Sequence, residues 1–160
     1  MTIAVGDTIP DVEGKMLDAD GNPQSVQTGE LMGTGRVVLF AVPGAFTPGC
    51  SRVHLPGFVA GRDELAAKGV DKVVCTSVND AWVMDAWGRS AGADDIVMLA
   101  DGNGDFAGAL GLTMDATGYG LGLRSMRYAA VIQDGVVEAL EVDNTGKIEA
   151  SACSAILEIL

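Results

Sequence analysis

The feature that most constrains the fold is a short apolar run, Val-Val-Leu-Phe-Ala-Val, at residues 37–42. An apolar strand without polar alternation is typical of a parallel sheet that is covered on both faces. A loop rich in Pro and Gly follows at residues 43–50, and residues 51–68 then have the apolar spacing of a helix that ends before Gly69. The run therefore predicts a strand–loop–helix unit of an α/β fold.

The rest of the chain continues this alternation. Residues 71–78 and 96–100 are further apolar runs and predict two more strands, and residues 127–142 predict a hairpin around Asp134-Gly135. Two further helices are predicted at residues 104–112 and 151–160. Another is predicted to run from an N-cap at Asn79 to Ser90, and one of its faces carries Trp82, Val83, Ala86 and Trp87. Residues 1–36 are predicted as an N-terminal extension of short strands. This order predicts a mixed central sheet with helices on both faces, in a single domain that spans residues 1–160.

Composition excludes several classes of function. The formal net charge of −12 argues against binding to nucleic acid or to an anionic membrane surface, since both require a basic surface. The apolar runs are much shorter than the roughly 20 residues that span a bilayer, and the first residues lack the pattern of a signal peptide. Three cysteines without a Cys-x-x-Cys pair suit a reducing compartment, and we expect a cytoplasmic protein. With His54 as the single histidine, neither a metal site nor a cofactor is predicted.

Cys50 is the candidate nucleophile because it lies where the predicted loop meets the predicted helix. Unpaired N–H groups at a helix start favour an anion, and a thiol must ionise before it attacks. The Thr47 hydroxyl is close enough in sequence to bond the sulfur or a bound oxygen, and Pro43 stiffens the loop and shields the site from water. A nearby guanidinium would complete the site. The alternative for Cys50 alone is a buried thiol that acts as a small apolar residue.

The surrounding motif favours the catalytic interpretation. Pro43-x-x-x-Thr47-x-x-Cys50 resembles the active-site signature of peroxiredoxins. The longer run Val42-Pro-Gly-Ala-Phe-Thr-Pro-Gly-Cys-Ser-Arg-Val-His-Leu-Pro-Gly-Phe58 is similar to the type II, or peroxiredoxin-five-like, branch. The resemblance continues to Gly135 through Ser77-Val-Asn-Asp80, Trp87-Gly-Arg89, Leu99-Ala-Asp101 and the run that begins Arg127-Tyr-Ala-Ala.

This resemblance implies a thioredoxin-like fold and a thiol-dependent peroxidase that defends against oxidants by reducing hydrogen peroxide and small organic hydroperoxides. By position, Cys50 is the nucleophile that becomes a sulfenic acid, Thr47 orients the peroxide, and Pro43 shields the site. Arg127 is the cation that stabilises the thiolate, with Arg124 as the alternative. His54 is expected to support the site by packing or hydrogen bonding and not to act as a base.

The source of reducing equivalents stays open at this point. Cys75 lies in an apolar strand and is expected to be inert. Cys153 is a possible resolving cysteine, although its surroundings are closer to those of relatives that lack one and that use glutathione, glutaredoxin or thioredoxin.

The resemblance also implies a homodimer formed near the active-site loops, for which Phe46, Trp82 and Leu121 are candidate contacts. Two other functions stay open: a thiol–disulfide exchange protein, disfavoured by the missing Cys-x-x-Cys, and a peroxide sensor or holdase that uses the same thiol.

Overall fold

A computed structural model describes residues 1–144 and 147–160 of the chain. The β-strands are β1 (Glu13–Leu17), β2 (Pro23–Gln27), β3 (Arg36–Ala41), β4 (Lys72–Ser77), β5 (Val97–Ala100), β6 (Thr113–Asp115), β7 (Leu123–Ser125), β8 (Arg127–Gln133) and β9 (Val136–Asp143). Seven of them form the main sheet, in the order β2-β1-β5-β4-β3-β8-β9. The α-helices are α1 (Thr28–Met32), α2 (Leu55–Ala60), α3 (Arg62–Ala67), α4 (Ala81–Ser90), α5 (Asp105–Leu110) and α6 (Cys153–Ile159).

The mixed character of the sheet agrees with the prediction. β3, β4 and β5 pair in parallel, whereas β8 runs antiparallel to β3 and forms the predicted hairpin with β9. β1 and β2 form an antiparallel N-terminal hairpin beside β5, in agreement with the predicted extension of short strands. The helix α1, which lies in the same extension, was not predicted. β3 is buried almost throughout, which explains its uninterrupted apolar sequence.

Helices cover both faces of the sheet and bury a separate apolar cluster on each. Phe58 of α2, Leu65 of α3, Trp87 of α4 and Ile156 of α6 pack on the face that also holds Cys50. On the opposite face, the cluster includes Met32 of α1 with Phe106 and Leu110 of α5. This is the thioredoxin-like arrangement that the resemblance implied, and within the described residues no helix is long and apolar enough to span a membrane.

The predicted helix at residues 51–68 is present, but it is divided into shorter segments. It begins as a π-helical turn at Cys50–His54, where the Leu55 N–H donates to the Cys50 carbonyl, and continues as α2 and α3 with a break at Gly61. Pro56 lies at the start of α2 and has no N–H to donate, so a regular α-helical ladder is interrupted near this residue.

The start of α4 also differs from the prediction. Asp80, and not Asn79, is the N-cap, and its carboxylate accepts a hydrogen bond from the Val83 N–H. The buried face of α4 consists of Ala81, Met84, Trp87 and Gly88, so Trp87 is the one residue of the predicted face that lies on it. Trp82 is 57% exposed.

An additional small sheet lies between α5 and β8. β6 and β7 pair antiparallel around a 3₁₀ turn at Thr117–Tyr119, between the predicted helix at 104–112 and the predicted hairpin at 127–142, where the sequence predicted no element. Three-residue strands give little periodic pattern to recognise.

Candidate active site

Cys50 lies at the carboxyl end of β3, where the loop turns into helix. The helical segment starts at Pro48, so Cys50 is in its first turn, and Cys50 also opens the π-helical turn. N–H groups in the first turn of a helix lack acceptors within the helix and favour negative charge nearby. The Cys50 side chain is fully buried within the apolar cluster on that face.

Hydrogen bonds hold the loop before Cys50 in a strained conformation. Phe46 adopts a positive φ of 64°, which costs a non-glycine residue about 1–2 kcal/mol. Asn79, at the end of the neighbouring β4, accepts a 2.9 Å hydrogen bond from the Ala45 N–H. This contact replaces the capping role predicted for Asn79.

Thr47 lies in the same loop and is half-buried. Its hydroxyl donates to the Gly44 carbonyl at 2.7 Å and is not directed at the sulfur as a donor. A hydroxyl has one proton to donate and two lone pairs, so Thr47 keeps acceptor capacity for an O–H group that enters the loop.

Arg127 contributes the cation at the site. Its Nη2 donates to Cys50 Sγ at 3.2 Å, and its Nη1 donates to His54 Nδ1 at 2.8 Å, both in buried surroundings. Arg124, the alternative candidate, donates to the carbonyls of Leu121 and Pro43. The guanidinium that faces the sulfur is therefore that of Arg127.

His54 is buried beside Cys50 in an aromatic environment. Phe40 and Phe58 stack on each other, and their ring centroids lie 5.1 and 5.6 Å from that of His54. Burial, assisted by the nearby charge of Arg127, lowers the pKa of His54 to about 4 even though the Ser151 carbonyl and Asp143 favour protonation. A neutral imidazole results at pH 7, which matches its role as acceptor for Arg127.

A cavity of about 160 Å³ opens beside Arg127. Pro43 lies on its wall together with Arg127, two half-buried methionines, Met114 and Met126, and the polar residues Asp143 and Asn144. It is large enough for a small molecule and presents both apolar groups and one cation. Pro43 and Arg127 thus lie on the wall of one cavity, and Arg127 links that cavity to the buried Cys50 sulfur.

The two other cysteines are buried thiols. Burial raises the pKa of Cys75 well above its usual range. Burial, with the nearby Glu64 charge, raises the pKa of Cys153 to about 11. Cys153 packs against Gly61 at the α2–α3 break, and none of the three cysteines is paired.

Two residues near the site were missed by the sequence reasoning. The Ser151 carbonyl accepts a 2.9 Å hydrogen bond from His54 Nε2–H, and the Asp143 carboxylate binds the Ser151 hydroxyl. No short motif identifies them, because the contact that connects them to the site joins His54 to a backbone carbonyl 97 positions away. Among the described residues there is no group of three or more His, Cys, Asp or Glu side chains that could hold a metal ion.

The arrangement suits nucleophilic chemistry at sulfur. A guanidinium that stays charged and a helix start both stabilise a thiolate at Cys50, and the thiolate is the nucleophilic form. The same Arg127 N–H groups are positioned for negative charge that develops on an oxygen bound next to the sulfur.

Comparison with known proteins gives consistent matches over nearly the whole chain. Residues 4–157 match the Redoxin family. The chain is 48% identical over 164 residues to peroxiredoxin-2E-2, chloroplastic, from Oryza sativa subsp. japonica, covering 99% of this chain and 73% of that protein. Peroxiredoxin-2B from Arabidopsis thaliana is 42% identical over 159 residues, covering 99% and 98%. The crystal structure of reduced Prx3 in complex with H₂O₂ from Vibrio vulnificus has 48% identity and a TM-score of 0.94, with 99% of both chains covered.

Proposed function

We propose that Cys50 attacks the peroxide in this chain, which belongs to the Redoxin family and is a peroxiredoxin, a thiol-dependent peroxidase. The observation that carries this assignment is the 3.2 Å hydrogen bond from Arg127 Nη2 to Cys50 Sγ. Within the part of the chain that the structure describes, neither Cys75 nor Cys153 accepts a hydrogen bond from a guanidinium, and burial raises the pKa of both thiols.

In the proposed reaction, the Cys50 thiolate attacks one oxygen of the peroxide. An S–O bond forms as the O–O bond breaks, so that sulfur is oxidised to a sulfenic acid and the second oxygen leaves as water or an alcohol after it takes up a proton. Arg127 stabilises both the thiolate and the charge on the departing oxygen. Pro43, on the wall of the cavity beside Arg127, limits the access of water to the sulfur.

Thr47 is proposed to orient the peroxide. While its own proton is donated to the Gly44 carbonyl, its oxygen accepts the O–H of the incoming peroxide. Thr47→Ser retains this acceptor and Thr47→Val removes it. We expect the valine variant to lose about 10²-fold in kcat/KM and the serine variant to lose much less. Equal losses in the two variants would exclude this role.

An external thiol is proposed to complete the cycle. One thiol, from glutathione, glutaredoxin or thioredoxin, displaces water from the sulfenic acid and forms a mixed disulfide with Cys50, and a second thiol releases reduced Cys50. We propose that Cys153 is not a resolving residue, because it is buried and burial raises its pKa to about 11. Mass spectrometry after peroxide treatment without added thiol tests this point, and a Cys50–Cys153 disulfide would contradict it.

The central experiment is a peroxidase assay with hydrogen peroxide and each reductant in turn. Cys50→Ser should abolish turnover, whereas the matched controls Cys75→Ser and Cys153→Ser should retain it. Loss of turnover in Cys153→Ser but not in Cys75→Ser would instead support a resolving role for Cys153. Full turnover in Cys50→Ser would exclude the proposed nucleophile.

We also propose a homodimer that forms next to the active-site loop. Phe46 is 54% exposed, and the Ala45–Asn79 hydrogen bond holds its loop near the start of α4, where Trp82 is 57% exposed. Leu121, the third candidate, is half-buried, and its neighbour Leu123 offers more apolar surface. Sedimentation velocity of the wild type and of Trp82→Glu tests this proposal, and a wild-type monomer at micromolar concentration would refute it.

The proposed compartment is the reducing cytoplasm, because the three cysteines are unpaired thiols. The rice relative has a name that places it in the chloroplast. Imaging of a fluorescently tagged full-length protein in its own cells distinguishes these locations.

A further inference from the structure

We infer that Asp143 and Ser151 are positioning residues that hold Arg127 against Cys50 through the ring of His54. The inference rests on the proposed function of Cys50 and Arg127. It assigns a role in the reaction to a turn that precedes α6 and that contributes no group to the sulfur itself.

The first part of this arrangement is a clamp made by the Asp143 carboxylate at the end of β9. It accepts hydrogen bonds from the N–H groups of Glu149, Ala150 and Ser151 at 3.2, 3.0 and 2.9 Å. It also accepts a hydrogen bond from the Ser151 hydroxyl at 2.5 Å. Burial alone would raise the pKa of Asp143, but the bonds from Ser151, Ala150 and Glu149 outweigh it and lower that pKa. The carboxylate is therefore ionised at neutral pH, and it fixes the backbone at Ser151.

The second part is the imidazole of His54. Its Nε2 lies 2.9 Å from the Ser151 carbonyl oxygen, which only accepts hydrogen bonds, so Nε2 carries the proton. The neutral ring then has a free lone pair on Nδ1, which accepts the 2.8 Å hydrogen bond from Arg127 Nη1. The position of the Ser151 carbonyl thus selects the tautomer that binds Arg127.

The third part is the division of the Arg127 guanidinium between two acceptors. With Nη1 engaged by His54, Nη2 is directed to Cys50 Sγ at 3.2 Å. Asp143 lies on the wall of the same cavity as Arg127, yet among the described residues no ion pair joins them. We attribute this to the four hydrogen bonds that already engage the carboxylate. If the clamp is lost, the guanidinium is free to turn away from the sulfur.

A direct effect of the Asp143 charge on the thiol is the competing explanation, and it has the opposite sign. A carboxylate near Cys50 disfavours the thiolate, so removing its charge would make the thiolate form more readily. Loss of the clamp removes the support of Arg127 and makes the thiolate form less readily. The direction of the change therefore distinguishes positioning from direct electrostatics.

The test measures thiolate formation without peroxide or turnover. The rate of alkylation of Cys50 by iodoacetamide is followed from pH 4.5 to 9 in the reduced full chain, and mass spectrometry confirms which cysteine reacts. We expect Asp143→Asn and Ser151→Ala to react about threefold to tenfold more slowly at pH 6, with profiles displaced to higher pH. Ser151→Thr, which keeps the hydroxyl, should react like the wild type. An unchanged or faster rate in Asp143→Asn would overturn the inference.

A substitution at Asp18 is the matched control for the general loosening that follows when a carboxylate that holds a turn is removed. The Asp18 carboxylate accepts hydrogen bonds from the N–H groups of Asp20 and Asn22 in the β1–β2 turn, as Asp143 does in its own turn. Asp18→Ala should lower stability without altering the alkylation profile. A displaced profile in Asp18→Ala would show that general loosening, and not positioning, is responsible.

A second measurement needs no variant at all. The chain contains one histidine, so the ring ¹⁵N spectrum of the wild type reports His54 alone. We expect the neutral Nε2–H tautomer at pH 7, and the Nδ1–H tautomer would overturn the inference. The alkylation and NMR results stand apart from the peroxidase assay, so a failure of the proposed function and a failure of this inference are distinguishable.

Discussion

Arg127 and Cys50 meet because β3 and β8 are antiparallel neighbours in a fixed register. Ala41, the last residue of β3, is paired with Tyr128, so the start of β8 lies beside the loop that leaves β3. Arg127 then reaches Cys50 Sγ at 3.2 Å, although the two residues are separated by 77 positions. The central pairing of the sheet thus delivers the cation to the thiol.

Arg127→Lys should lower kcat/KM for hydrogen peroxide by about 10²-fold, even though the charge is retained. A lysine ammonium lacks the planar fork with which Arg127 contacts both Cys50 and His54. Steady-state peroxidase kinetics measures the effect. Arg124→Lys is the control, since Arg124 contacts backbone carbonyls and not the sulfur, and it should lose less than about fivefold. A larger loss in Arg124→Lys than in Arg127→Lys would reverse the assignment.

His54 should make the protein less stable as the pH falls below neutrality. Burial lowers its pKa from 6.5 to about 4, so the unfolded chain binds a proton more readily than the folded chain. The stabilisation is fully present above pH 6.5 and is lost as the pH falls toward 4. The unfolding free energy attributable to His54 should be about 2 kcal/mol lower at pH 5 than at pH 7. Urea unfolding at several pH values measures this difference.

A His54→Gln variant isolates this contribution from that of the carboxyl groups. Burial raises the pKa of Asp101, and a raised carboxyl pKa changes the pH dependence of stability in the opposite direction to His54. Subtracting the profile of the variant from that of the wild type removes the contribution of Asp101. Parallel profiles for the two proteins would show that His54 does not titrate as described.

Motif and periodicity predicted the parts of the structure that are local in sequence. The strand before Pro43, the helix start at Cys50 and the hairpin of β8 and β9 each depend on patterns within a few residues. The N-cap of α4 was displaced by one residue because Asn79 and Asp80 are equally good caps, and only tertiary structure assigns Asn79 to Ala45.

The contacts that position Arg127 were beyond the reach of these patterns. His54 meets the backbone carbonyl of Ser151 across 97 positions of the chain. A backbone carbonyl carries no information about residue type, so no motif marks such a contact. The π-helical turn at Cys50–His54 was likewise missed because the apolar spacing of residues 51–68 does not distinguish it from a regular α-helix.

Met126→Gln should reduce the use of apolar hydroperoxides more than the use of hydrogen peroxide. Met126 and Met114 supply the apolar side chains on the wall of the cavity beside Arg127, where an alkyl group would pack. We expect kcat/KM for cumene hydroperoxide to fall about tenfold, since an apolar contact in a pocket contributes about 1–3 kcal/mol. Hydrogen peroxide has no alkyl group and should change by less than about twofold. Equal losses for both substrates would indicate a general disturbance of the site and contradict this role.

Gly61→Ala should destabilise the protein through a collision with Cys153. A Cβ at residue 61 would overlap the Cys153 sulfur, which lies in α6 and packs into the break between α2 and α3. Overpacking of this kind lowers the unfolding free energy by about 1–3 kcal/mol. Denaturant unfolding of Gly61→Ala, Cys153→Ala and the double variant measures the coupling, and the double variant should be more stable than the sum of the single effects predicts.

Gly57→Ala is the matched control for this cycle, because Gly57 lies one turn earlier and an added Cβ there would meet no tertiary neighbour within 4 Å among the described residues. Alanine there removes the conformational freedom of glycine in a helix and should stabilise by about 0.5–1 kcal/mol. If Gly61→Ala were as well tolerated as Gly57→Ala, the packing of Cys153 against the helix break would be looser than described. The proposal that Cys153 is not a resolving thiol, which rests on its buried position, would then lose this support.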